Sequence, residues 1–137
     1  MRFEVTNDPA EDDRQRLGAG LRTHALEQLG RDGFEPVAVL MRDDDGTLVG
    51  GAVGLVNWHW LQVSLLWVDD SLRGRGYGAR LMQLIEDAGR DRGCRAAHLS
   101  TFSFQAPGFY KSLGYEVFST LEDYAPGHAK LFMRKRL

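Results

Sequence analysis

Apolar residues follow two different spacings along the chain and divide it into strands and helices. Apolar runs at Pro36–Arg42, Thr47–Asn57 and Leu61–Val68 predict three strands, and Asp43–Gly46 between the first two carries the Asp-Gly signal of a hairpin turn. The segment Tyr77–Arg92 changes to helical spacing. Its apolar positions are Leu81, Leu84, Ile85 and Ala88. The middle of the chain therefore predicts strands followed by an amphipathic helix.

The N-terminal segment predicts a strand and a helix. Arg2–Thr6 alternates like a short strand, and Asp8–Glu11 has the pattern of a helix start, with aspartate as cap, proline first and glutamate reaching back. Gly18 and Gly20 each weaken a helix by about 1 kcal/mol relative to alanine, so they could divide it in two. The helical stripe consists of Leu17, Leu21, Ala25 and Leu29.

The remainder of the chain completes an α/β pattern. Ala96–Phe102 predicts the strand after the main helix, and Tyr115–Thr120 and His128–Arg136 predict a closing pair around a loop at Leu121–Gly127. Ala129–Arg134 is apolar on both faces, which indicates either a covered strand or an edge shared in a homodimer. No linker or repeat interrupts residues 1–137, so we expect a single domain.

Composition narrows the classes of function. The 137 residues carry a formal net charge of −2, which indicates neither a nucleic-acid partner nor a membrane surface, and no apolar run is long enough for a bilayer span. The start of the chain lacks the apolar segment of a signal peptide, and the single cysteine, Cys94, suits a reducing cytoplasm. The four histidines lack metal-site spacing, so we predict no metal.

The turn between the third strand and the main helix has the chemistry of a phosphate site. Leu72–Ala79 contains three glycines and two arginines and leads into the predicted helix at Tyr77. Glycines let the backbone turn sharply and expose N–H groups, and the first turn of a helix offers unpaired donors and a positive dipole end. Arg73 and Arg75 add full charges and paired donors.

Three loop types compete for this turn. A Walker loop requires Gly-Lys-Ser/Thr, which is absent, and Gly74–Ala79 fits a dinucleotide fingerprint but lacks the later acidic residue, since that window reads Ala96–Thr101. The third type is R-x-x-G-x-G/A, matched by Arg73, Gly76 and Gly78. In this respect the chain resembles the GNAT superfamily of acyl-CoA-dependent N-acyltransferases, whose pyrophosphate loop has that form.

A second motif makes the resemblance specific. Ala106–Val117 is similar to the family signature A-x-x-F-Y-x-x-x-G-F/Y, with Pro107 suited to a first helical position and Gly114 to a left-handed cap. The match extends from about Pro36 to the C-terminus. The resemblance implies a mixed, twisted central sheet of about six to seven strands, flanked by helices and splayed open in its middle.

The resemblance also implies acetyl-CoA as donor and an N-acetyltransferase that acts by direct attack in a ternary complex. The pantetheine arm would pair with the backbone of the third strand, where Val68 N–H would meet the thioester carbonyl. Many family members carry asparagine where this chain has Ser103, so the hydrogen bond at that position differs. The implied cofactor-binding residues are Leu66, Trp67, Val68, Arg73, Gly74, Arg75, Gly76, Tyr77, Gly78, Ala79 and Ser103.

Tyr110 is the candidate general acid, because a phenol in this motif position could protonate the departing thiolate. The base stays open. His128 is the most interesting candidate, because Tyr124–Gly127 would hold it on a rigid turn. The other candidates for this role are His59, Asp69, Asp70, Glu122 and Asp123.

The acceptor is less defined by the sequence. Trp58, His59 and Trp60, expected at the top of a hairpin, could form an aromatic mouth for a small-molecule amine, or equally a hairpin tip or dimer contact. A peptide or protein amine is the alternative acceptor. A CoA-binding regulatory module without turnover, or a dinucleotide-binding protein, are the alternatives of another class.

Overall fold

The computed structural model describes residues 1–30 and 33–137. The chain separates into two compact units, Met1–Gly33 and Phe34–Leu137, and the single-domain organisation over residues 1–137 stays a prediction. Within the described residues, no helix is both long and apolar enough to cross a membrane.

The first unit contains one continuous helix, α1 (Glu11–Leu29). The predicted strand Arg2–Thr6 is wrong: no strand forms there, because two apolar positions do not supply the paired neighbour that a strand requires. The helix start predicted at Asp8 is also wrong, since α1 begins at Glu11 with Ala10 as its N-cap. Three acidic residues in the first turn complement the helix dipole without a side-chain cap. Gly18 and Gly20 do not divide the helix.

The second unit is a six-stranded mixed sheet with two helices. The strand order is β1-β2-β3-β4-β6-β5, and every neighbouring pair is antiparallel except β3 and β4. The predicted α/β class with a mixed, splayed sheet is confirmed. The elements are β1 (Phe34–Arg42), β2 (Leu48–Asn57), β3 (Trp60–Val68), α2 (Tyr77–Asp91), β4 (Ala96–Phe102), α3 (Pro107–Ser112), β5 (Glu116–Ala125) and β6 (His128–Arg136), with a short 3₁₀ turn at Asp70–Leu72.

The core lies between α2 and one face of this sheet. Alternation along β3 and β4 turns Leu61, Val63 and Leu99 toward that face, where they are buried with Ile85 of α2. Gly89 lets α2 approach closely, since a Cβ there would lie 3.2 Å from Leu61 Cδ2. Of the four apolar positions predicted for this helix, Leu81 and Ile85 are buried, whereas Leu84 and Ala88 are only half-buried.

The sheet opens between β3 and β4. The two strands pair only from Trp60 opposite Ala96 to Gln62 opposite His98 and then separate. Ser64 is an extra residue in β3 at this point, because Val53 and Gly54 pair with Leu65 and Val63. Ser64 Oγ donates to the Val53 carbonyl at 3.1 Å. Such a bulge bends its strand, and here it directs the end of β3 away from β4.

The C-terminal hairpin differs from the prediction. The residues predicted as the loop Leu121–Gly127 are mostly strand, because two register irregularities let β5 continue to Ala125. Only a tight turn follows, in which Asp123 Oδ1 accepts the Gly127 N–H at 3.2 Å. The strand β6 lies between β4 and β5, so it is an interior strand of the sheet and not an edge strand.

Candidate active site

The opening between β3 and β4 leads into a cleft of about 790 Å³. The cleft brings together three regions that are separate in sequence: the end of β3, the glycine loop with the first turn of α2, and the segment from β4 to α3. Its lining residues are Leu66, Trp67, Val68, Leu72, Arg73, Gly74, Gly76, Tyr77, Gly78, Ala79, Thr101, Phe104, Gln105, Ala106, Phe109 and Tyr110.

The glycine loop has the geometry expected of an anion site. Gly74 and Gly76 have φ of 73° and 85° with open space at the Cβ position, so they are glycines because of backbone conformation and not because of crowding. Gly76 is the N-cap of α2, and no side chain caps this end of the helix. The N–H groups of Tyr77, Gly78 and Ala79 therefore remain available toward the cleft.

The two arginines of this loop have different roles. Arg73 Nε donates to the Val68 carbonyl at 3.2 Å, and Arg73 Nη2 lies 2.9 Å from Asp70 Oδ1. Its guanidinium thus holds the loop against the end of β3. Arg75 is exposed and has no ion pair among the described residues, and it is not part of the cleft lining. Of these two arginines, Arg75 is therefore the one whose charge is available to a ligand that extends beyond the loop.

The end of β3 presents backbone donors to the cleft. Asp69 N–H donates to the Val49 carbonyl at 2.9 Å. The register pairs Gly50 with Val68, so Val49 and Asp69 also lie opposite each other and form a hydrogen-bonded pair. Residues in an antiparallel pair alternate between bonding across the pair and pointing outward. Val68 N–H and Leu66 N–H therefore point away from β2, toward the unpaired side of β3.

Tyr110 lies where two cavities meet. It lines both the cleft and a smaller cavity of about 220 Å³ that occupies the gap between β3 and β4. Its ring packs edge-on against Phe109 and Tyr115, with ring centroids 5.1 and 6.0 Å away, and its hydroxyl has no hydrogen bond within residues 1–30 and 33–137. Burial raises the pKa of the Tyr110 phenol, so it stays protonated at neutral pH.

Two residues that the sequence did not single out lie beside Tyr110. Thr101 and Gln105 line both cavities. Gln105 Oε1 accepts the Phe102 N–H at 3.1 Å, which fixes the orientation of the amide and leaves its NH₂ group free to donate. The sequence signal was weak, because nothing in the motif separates Gln105 from an ordinary turn residue.

Ser103 lies outside the cleft lining. Its Oγ accepts the Ala129 N–H at 3.0 Å, and its own N–H donates to the Ala129 carbonyl at 2.9 Å. The hydroxyl is thus used to join the end of β4 to the start of β6. Direct binding of a cofactor by Ser103 has no support in this placement.

The candidate bases are in different environments. Hydrogen bonds from the Ser71 hydroxyl and N–H lower the pKa of Asp69, which makes that carboxylate a weak base, and Asp70 pairs with Arg73. Glu122 and Asp123 lie on β5. These four carboxylates are absent from the cleft lining.

His128 lies closer to the cleft. Its ring contacts Phe104, a lining residue, edge-on at 4.9 Å between centroids. Within the described chain its ring nitrogens have no hydrogen-bond partner.

The residues predicted to form an aromatic mouth lie at the other end of β3 from the cleft. Trp58 and His59 form the β2–β3 turn, and Trp60 begins β3 where it pairs with Ala96. Val68 lies at the far end of the same strand, roughly 25 Å away at about 3.3 Å per residue. Because the gap opens only after Gln62, these three residues do not line it.

The comparisons with known proteins agree with this geometry. Residues 4–115 match the profile of the Acetyltransferase (GNAT) family. The chain is 45% identical over 105 residues to a blasticidin-S acetyltransferase of Streptomyces morookaense, covering 76% of this chain and 77% of that protein. The chain belongs to the GNAT acetyltransferase family. It is therefore an N-acetyltransferase, and the regulatory-module and dinucleotide alternatives lose their basis.

Solved structures give the same family fold. A crystal structure from Agrobacterium tumefaciens, described as an acetyltransferase, superimposes with a TM-score of 0.93 at 26% identity and covers 100% of both chains. An acetyltransferase from Bacillus cereus ATCC 14579 gives a TM-score of 0.82 at 31% identity, covering 98% of each chain. The GNAT family predicted from the two motifs is thus confirmed.

Proposed function

We propose that this N-acetyltransferase moves an acetyl group from acetyl-CoA to the primary amine of a small molecule, by direct attack in a ternary complex. The observation that carries the proposal is that one cleft joins an uncapped helix N-terminus, outward backbone donors and a half-buried phenol without a hydrogen bond among the described residues. The pyrophosphate of acetyl-CoA would bind at the helix N-terminus, its extended amide chain along the backbone donors, and its thioester beside the phenol. The relative that acetylates blasticidin S favours a small-molecule acceptor over a peptide or protein amine.

In this proposal the loop and α2 bind the pyrophosphate. The N–H groups of residues 77–79 and the helix dipole face the phosphate oxygens, and Arg75 adds charge where the cofactor extends outward. Arg73 acts indirectly, because its bonds to Val68 and Asp70 hold the loop in place. Binding of the pyrophosphate in this way does not require the acidic residue that holds the ribose in dinucleotide-binding proteins.

The outward N–H groups of β3 bind the pantetheine arm and the thioester. Leu66 lines the small cavity together with Tyr110, whereas Val68 does not. We therefore assign the thioester carbonyl to Leu66 N–H and a pantetheine amide to Val68 N–H, a change from the sequence-based choice of Val68. A fixed donor at the developing oxyanion contributes typically about 3–4 kcal/mol to transition-state stabilisation.

Tyr110 completes the reaction. The acceptor nitrogen attacks the thioester carbon, the oxyanion collapses, and the C–S bond breaks. The Tyr110 hydroxyl then donates its proton, or a hydrogen bond, to the departing CoA thiolate. The proton that the attacking amine loses passes to a base. His128 is our candidate for that base, because it contacts the lining residue Phe104. The products are the N-acetyl amine and free CoA.

The test is thiol release from acetyl-CoA with blasticidin S and other small primary amines as acceptors. We expect Tyr110→Phe to lower kcat by roughly 10²–10⁴-fold while the Kd for acetyl-CoA stays within twofold. Phe118→Leu, which changes an exposed aromatic ring outside the cleft lining, is the control. A Tyr110→Phe variant with wild-type kcat would remove the general-acid role.

The pH dependence follows from the same phenol. Because burial raises the pKa of Tyr110, its acid form persists above the ordinary tyrosine value of about 10. We therefore expect no loss of kcat from this group as pH rises from 7 to about 9. A loss in that range that disappears in Tyr110→Phe would contradict the pKa direction.

A further inference from the structure

Four aromatic side chains form a continuous cluster that meets the active-site cleft at Phe104. We call them the aromatic platform: Phe102, Phe104, Tyr124 and His128. The rings of Phe102 and Phe104 are stacked, with centroids 5.3 Å apart and an angle of 4° between planes. Tyr124 lies against Phe102 at 5.6 Å, and His128 lies edge-on to Phe104 at 4.9 Å. The end of β4, the turn after it and the β5–β6 hairpin all contribute.

The platform is held in place yet open to ligands. Phe104 is 56% exposed and Tyr124 is 51% exposed, although each contacts another ring. Large apolar side chains are normally more stable when buried, so the core does not explain this exposure. Rings that are already fixed by their neighbours lose little freedom when a ligand stacks on them.

The position of the platform indicates which ligand reaches it. Thr101 of β4 is buried on the α2 side of the sheet, so the next residue, Phe102, points to the opposite side. The phosphate-binding end of α2 is on the first side. Phe104 connects the two, since it stacks on Phe102 and also lines the cleft with Tyr110. A molecule on the platform therefore approaches Tyr110 from the side away from the phosphates.

We propose that the aromatic platform binds a planar ring of the amine acceptor, so that the enzyme prefers aromatic or heteroaromatic amines over saturated ones. Flat rings gain from stacking on aromatic faces, whereas aliphatic chains gain only from apolar contact. Lys130 already places its ammonium 4.9 Å from the Tyr124 ring centroid, which disfavours a second cation on that ring. This inference rests on the proposed function and names its substrate class.

The experiment compares two primary amines of similar size, benzylamine and cyclohexylmethylamine, with CoA-saturated protein. Binding is measured by saturation-transfer NMR, and turnover is measured separately by thiol release from acetyl-CoA. We expect benzylamine to bind about three- to tenfold more tightly, the range that aromatic pairing supports. Phe104→Leu should remove this difference in amine binding.

Matched variants keep the test independent of folding. Tyr124→Leu should also reduce the preference for benzylamine. It therefore serves as the test variant if Phe104→Leu does not fold. Phe118→Leu is the control, because Phe118 is 47% exposed and packs near Phe132, outside the platform. It should leave the preference unchanged.

Three results would overturn the proposal: equal binding of the two amines, a preference that survives both platform variants, or a Phe104→Leu effect confined to CoA affinity. The last would assign the platform to the adenine ring of the donor. Failure of the proposed function would look different, since neither CoA binding nor thiol release with any amine would then be observed.

Discussion

Glu86 is a buried carboxylate on which three parts of the fold converge, and its removal is the sharpest test of the structure. The side chain is 4% exposed. Glu86 Oε1 accepts the Tyr115 hydroxyl at 3.0 Å, and Lys135 Nζ lies 3.1 and 2.8 Å from the two carboxylate oxygens. The cluster thus joins α2 to β6 and to Tyr115, whose ring packs against Tyr110.

The magnitude follows from what Glu86→Ala would leave unpaired. Removing one partner of a buried ion pair costs about 3–5 kcal/mol, and leaving a buried hydroxyl without its acceptor costs about 1–3 kcal/mol. The Lys135 side chain is 23% exposed and can turn toward water, so the loss of its ion pair should cost about 3 kcal/mol or less. We therefore expect a loss of roughly 3–4 kcal/mol in the free energy of unfolding.

The Tyr115 phenol remains a donor in this cluster at all accessible pH. Burial raises its pKa far above the ordinary value, and the Glu86 carboxylate raises it further. Glu86→Gln retains an acceptor for this phenol while it removes the charge opposite Lys135. We expect that variant to lose roughly half as much stability as Glu86→Ala.

Urea unfolding at pH 7 measures the effect, with Asp87→Ala as the matched control. Asp87 is the next residue of α2, but its side chain is 51% exposed and pairs only with Arg90. An exposed pair contributes at most about 0.5–1 kcal/mol, so the control should unfold nearly like the wild type. A Glu86→Ala loss below about 1 kcal/mol, or no larger than that of Asp87→Ala, would refute the buried network.

Three further predictions follow from single contacts. Gly54→Ala should destabilise the protein by about 1–3 kcal/mol in urea melts, because its Cβ would lie 2.8 Å from the Gln62 carbonyl oxygen; wild-type stability would contradict that approach. The Cys94 thiol is buried and burial raises its pKa, so it should react with a disulfide reagent only after unfolding, and rapid labelling of the native protein would contradict this placement. Arg75→Gln should raise the Kd for CoA about tenfold by calorimetry, an effect that must diminish at high salt; an unchanged Kd would remove Arg75 from the site.

Local patterns predicted most of the fold because its elements carry strong local signals. The strand Ala96–Phe102 and the helix from Tyr77 depend on apolar spacing within one segment, and both appear with the expected start. The strand at Arg2–Thr6 failed because a strand also needs a partner that spacing does not reveal. The Leu121–Gly127 loop failed because bulges let β5 continue through residues with ordinary turn chemistry.

The site shows the same division. The glycine loop and Tyr110 carry motif signals, and the structure brings them into one cleft. The bulge at Ser64, which opens the sheet, is a matter of register between two strands and leaves no mark in the sequence. The sequence could not show that Trp58–Trp60 lie far from the opening, because the position of the opening depends on which end of β3 pairs with β4.

The most direct test of the account is a calorimetric titration of acetyl-CoA into the protein, followed by the same titration of Gly76→Val. Gly76 has φ of 85°, so valine would strain the loop backbone, although a Cβ there meets no atom within 4 Å. We predict one-to-one binding of acetyl-CoA to the wild type and a Kd at least about tenfold higher for the variant. No heat of binding to the wild type, or equal affinity in both proteins, would contradict the assignment of this cleft to acetyl-CoA.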